Sequence, residues 1–112
     1  MKITDLEPSE QIVFGCLLRI LIRADGHFTE EEEEQVNRIG AEELGDAQDL
    51  WHLISVSAAA HTDENEIRTE VGSVTRPEAR ALILQVLERV AGADAVARSE
   101  SDLLEWLRGE WS

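Results

Sequence analysis

The residues best suited to chemistry stand together in Asp25-Gly26-His27-Phe28-Thr29-Glu30-Glu31-Glu32. Their order, Asp-Gly-x-apolar-x-x-x-Glu, is the second half of an EF-hand loop. There the Asp is a ligand, the Gly makes a sharp turn, and the last Glu binds calcium through two oxygens. The first half is missing, because Leu21 and Arg23 stand where the loop's leading acids belong. A complete EF-hand is excluded, and a reduced acidic site remains. Its expected ligands are Asp25 and Glu32, with the His27 carbonyl and water filling the shell. So few protein oxygens predict weak binding of Ca²⁺, Mg²⁺ or Mn²⁺ with little discrimination. Zinc fits less well, since Cys-x-x-Cys and His-Glu-x-x-His are both absent and Cys16 lies in an apolar run. Asp94 and Asp102 form a second, weaker candidate pair, with Ala95 in place of the turn glycine. The same acids have a plain alternative role. Each acid near a helix N-terminus favours the helix by about 0.3–1 kcal/mol without any metal.

Other chemistry is thinner. Gly40 and Gly45 have phosphate-loop spacing, but Asp46-Ala47 stand where Lys and Ser or Thr are required. No nucleophile elbow is legible, and the three histidines share no metal spacing. His52 reads as a packing residue on an apolar helix. Trp51, Trp106 and Trp111 read as core or lid residues, with Trp111 docking the tail. The chain is expected not to be an enzyme.

Helices must position these groups. Val13, Leu17, Ile20, Leu21 and Ala24 recur at helical spacing, with Phe14, Leu18 and Ile22 beside them. Only Gln11, Gly15, Arg19 and Arg23 make a polar stripe, so this first helix is central and mostly buried. Pro8 suits its first turn and Asp25-Gly26 ends it. Thr29 and Glu32 form a capping box for a second helix, which Gly45 stops near Leu44. A third helix starts near Asp46 and ends near Ala60 or His61. From Thr62 to Val74 a short helix or ordered loop is expected, with Ile67 and Val71 four apart. Thr75-Arg76-Pro77-Glu78 caps the next long helix, and Ser99-Glu100-Ser101-Asp102 opens the last. The expected fold is all-α: a compact bundle of about five to seven helices in one domain.

The two halves echo each other. Val13 aligns with Leu82, Phe14 with Ile83, Leu17 with Val86, Leu18 with Leu87 and Leu21 with Val90. An Ala-Asp corner, a capping hydroxyl and an acid-led helix follow in both. This internal repeat divides the chain into hairpins at about 9–44 and 76–110, centred on the first and fifth helices.

Composition sets the remaining bounds. The 112 residues suit one domain, able to bury roughly 65% of its unfolded surface. Ten basic residues against 24 acidic ones leave a net charge of −14. Nucleic acid and anionic lipid are therefore excluded as partners, and cations or a basic protein are favoured. The single cysteine allows no internal disulfide. Ile12 to Ile22 is too short to cross a bilayer and Arg19 interrupts it. Asp5, Glu7 and Glu10 stand where a signal peptide needs basic residues, so a cytoplasmic protein is expected.

From Arg23 to Glu32 the chain resembles the TerB family of tellurite-resistance proteins. Those proteins carry Ala-Asp-Gly-x-apolar-(Ser/Thr)-x-x-Glu after an apolar helix and repeat it later, as the Asp94 region does here. The resemblance extends from about Gln11 to Leu107. It implies a duplicated all-helical domain without known catalysis and acidic surfaces associated with divalent cations. It also implies a tellurite or stress response alongside a membrane protein of the same system. Asp25 and Glu32 match the first motif by position. Asp94 matches the second, Ala95 departs from it, and Asp102 matches only with a one-residue shift. A second resemblance is to the small acidic immunity proteins of nuclease bacteriocins, which implies an inhibitor of a basic protein partner. The absence of tyrosine departs from that pattern.

Overall fold

Pro8 opens the first long helix, α1, Pro8–Arg23, because its fixed φ and missing N–H cost nothing in a first turn. In the computed structural model, residues 2–23, 30–60, 63–91 and 98–111 are described, with backbone alone at 64 and 98–101. The helices that follow are α2, Glu30–Leu44; α3, Ala47–Ala60; α4, Glu64–Glu70; α5, Pro77–Ala91; and α6, Arg98–Glu110. Short 3-10 turns at Ile3–Asp5 and Val71–Ser73 precede α1 and follow α4. Among the described residues there is no strand, and the fold is the expected all-α bundle.

Most boundaries follow from local chemistry. Gly45 takes φ +84°, the left-handed conformation that stops α2. The Asp46 carboxylate then accepts from Gln48 N–H at 2.9 Å and starts α3. Asp63 caps α4 in the same way, accepting from Asn65 N–H at 2.9 Å. Two starts differ from expectation. Arg76 O accepts the first helical bond of α5, from Arg80 N–H at 3.1 Å, so Arg76 and not Thr75 holds the cap position. Helix α6 already includes Arg98, so Ser99 lies inside it.

α1 lies at the centre. It packs most extensively on α3 and also meets α4 and α5. α2 packs on α3 and α5, and α6 packs on α5. Val13, Phe14, Leu17, Leu18 and Leu21 are buried, and so are their counterparts Leu82, Ile83, Val86, Leu87 and Val90. Gly15 sits within this core rather than on a solvated stripe. A Cβ there would stand 2.1 Å from Ser57 Oγ, so glycine is what lets α1 and α3 meet so closely. The radius of gyration, 12.7 Å, matches the ~13 Å of a fully packed chain of this length.

Candidate functional site

Helix α2 begins with a run of acids, and one of them differs from its neighbours. Glu30, Glu31, Glu33 and Glu34 are exposed. Glu32, on the inward face with Val36 and Ile39, is only 3% exposed. The 3.6-residue period explains this: a carboxylate four residues before Val36 shares its side of the helix. Carboxylates are almost never fully buried without compensation. Glu32 is therefore held in place by its surroundings as its neighbours are not.

Asp25 and the rest of the corner through Thr29 are outside the described residues, as is Asp94. Asp102 is exposed on α6 and lacks the burial that distinguishes Glu32. Among the described residues no group of three or more His, Cys, Asp and Glu could hold a metal ion. The Glu32 carboxylate is a hard oxygen donor, of a type that suits Ca²⁺, Mg²⁺ or Mn²⁺.

A second inward carboxylate escaped sequence reasoning. Glu10, the third residue of α1, is also 3% exposed. Its Oε1 accepts from Glu7 N–H at 2.7 Å, which ties the first turn together. Arg76 grips both its oxygens, with Nε donating to Oε2 at 3.0 Å and a terminal nitrogen donating to Oε1. The same arginine donates to Asp5 O at 3.3 Å. The Arg76 hydrogen bond holds the Glu10 carboxyl below its ordinary value, against the opposing effect of burial. The 66-residue separation of the pair left no local signal in the sequence. This ion pair is saturated by its own partners and joins the chain's start to α5.

The tryptophans serve packing. Trp111 is buried and donates its Nε1–H to Val71 O at 3.0 Å, docking the tail. The Arg68 guanidinium lies 4.5 Å from the Trp106 ring centre. Trp51 is half-buried and donates to Asn37 Oδ1 at 2.7 Å. Cys16 is buried and donates to Ser57 O at 3.2 Å. Burial pushes its thiol up, which disfavours the nucleophilic thiolate.

His52, expected to pack inward, is instead exposed and borders a cleft of about 520 Å³. Pro8 and Ile12 of α1 form one wall, and Leu53 and Val56 of α3 form the other. Ile3 and Leu44 also border the cleft. Asp49 lines it three residues before His52, and no Lys or Arg does.

A family model described as tellurite resistance protein TerB matches residues 11–108, nearly the whole chain. No curated protein and no solved structure matches it.

Proposed function

The chain belongs to the TerB family, and from that premise we propose a non-enzymatic acidic helical module that binds a divalent cation weakly. The observation that carries this reading is Glu32, a buried carboxylate in an otherwise solvated acidic run. Glu32 and Asp25 would hold the ion, with the His27 carbonyl and water completing the shell. The ion would supply local charge neutralisation at the entry to α2, and Ca²⁺, Mg²⁺ or Mn²⁺ suit these oxygen donors better than Zn²⁺. The pair Asp94 and Asp102 would be a weaker second site. The module would act in the cytoplasm, in tellurite or stress response, beside a membrane protein of the same system.

The test is thermal unfolding with and without millimolar Ca²⁺, Mg²⁺, Mn²⁺ and Zn²⁺, on the wild type, Asp25→Asn and Glu32→Gln. A ligand at a hundredfold its dissociation constant adds about 2.7 kcal/mol, several degrees for a domain of this size. The reading expects that rise in the wild type and its loss in both variants. An equal rise in all three proteins would mean diffuse screening and overturn it. The alternative, an acidic module that docks on or inhibits a basic protein, is favoured by the exposed acids of α2 and the net charge of −14. It predicts indifference to these cations and a salt-sensitive complex.

A further inference from the structure

We infer that the cleft between α1 and α3 is a binding site for a small apolar cation, an aliphatic amine in its ammonium form. Its size is the first argument. About 520 Å³ falls inside the range of ~300–1,000 Å³ typical of small-molecule sites and is too little for a docked helix. The second is its surface. Val56, 43% exposed, is the one exposed large hydrophobic among the described residues, and it lies on this wall. Ile12, Leu44 and Leu53 are only partly buried around it. Apolar side chains left open together in one concavity mark a ligand site more than scattered ones do.

Charge selects the ligand's sign. Asp49 lines the cleft, and among the described residues its carboxylate enters no ion pair. The lining holds no Lys or Arg, and the surrounding chain carries −14. That field repels a fatty acid and favours an ammonium. An alkyl chain would lie over Ile12, Leu53 and Val56 while its ammonium donated hydrogen bonds to Asp49. The site is independent of Glu32. Leu44 at the cleft is twelve helical steps beyond Glu32, about 18 Å along the axis of α2.

The experiment is an amide chemical-shift titration of the full chain with four probes: hexylammonium, ethylammonium, hexanoate and hexanol. Hexylammonium is expected to saturate, with shifts centred on Ile12, His52, Leu53 and Val56. Ethylammonium and hexanoate are expected not to saturate there. Asp49→Asn, an exposed substitution, is expected to weaken hexylammonium about fivefold and leave hexanol unchanged. Shifts spread over the acids of α2, hexanoate binding as well as hexylammonium, an unchanged affinity in Asp49→Asn, or no saturation would each overturn the inference.

Discussion

Glu10 takes three hydrogen bonds, one from Glu7 N–H and two from Arg76, although the side chain is almost wholly buried. Arg76 raises the acidity of Glu10 by favouring its charged form, and Glu10 in turn raises the Arg76 value. A carboxylate whose folded value is depressed stabilises the fold fully above its unfolded value, here near 4.5. That contribution is lost as pH falls through the lower folded value. Glu10→Gln is therefore expected to lower stability at neutral pH by about 2 kcal/mol and to flatten the acid limb of the stability–pH profile. Urea unfolding across that range measures both. An acid limb as steep as that of the wild type would place the acid-sensitive group elsewhere. Nothing in the sequence around Glu10 announced the pair. Its partner sits just before Pro77, in a stretch that reads locally as a cap for α5.

At the scale of elements, α1 and α3 approach through Gly15 and Ser57. Ser57 Oγ donates to Leu53 O at 2.7 Å, and a Cβ on Gly15 would stand 2.8 Å from Ser57 Cβ. Gly15→Ala gains up to about 1 kcal/mol in helix propensity. The helices must nevertheless separate to admit the methyl group, and overpacking of this kind typically costs about 1–3 kcal/mol. A net loss is expected in urea unfolding, and Gly15→Ala with Ser57→Gly should recover most of it. Failure of that rescue would mean the contact is not what limits the approach. Helix identity was legible because apolar side chains at 3.6-residue spacing report burial directly. The contact between α1 and α3 was not, because a glycine among Gln11, Arg19 and Arg23 looks like part of a solvated stripe. The 3-10 turn at Ile3–Asp5 was also missed, since it is too short for periodicity to reveal, yet Ile3 and Leu6 are buried. Tail docking was legible in outline. Trp111→Ala is expected to cost about 3 kcal/mol and to loosen α6, read as faster amide exchange along Arg98–Glu110. Unchanged exchange there would show that the indole does not anchor the helix.

At the scale of the whole molecule, a net charge of −14 makes self-repulsion a general load on the fold. The described ion pairs at Arg38–Glu34, Arg89–Glu42 and Arg108–Glu88 are exposed and offset little of it. Simple salt should therefore raise the melting temperature as the Debye length falls from about 30 Å to about 3 Å. A fall would mean that specific ion pairs outweigh the repulsion. Of the candidate cation site, the structure describes Glu32 and Asp102. The motif pointed to Glu32, and the structure buries that residue while its acidic neighbours stay in solvent. Asp25 and Asp94 lie outside the described residues, and Asp102 is exposed. Amide line broadening by sub-stoichiometric Mn²⁺, in the wild type and in Asp25→Asn, decides whether a cation is held between Asp25 and Glu32. Broadening is expected to centre on residues 25–32 of the wild type and to be greatly weakened by the substitution. Broadening spread evenly over Glu42, Asp46, Asp49 and the other exposed acids, and unchanged in Asp25→Asn, would contradict it.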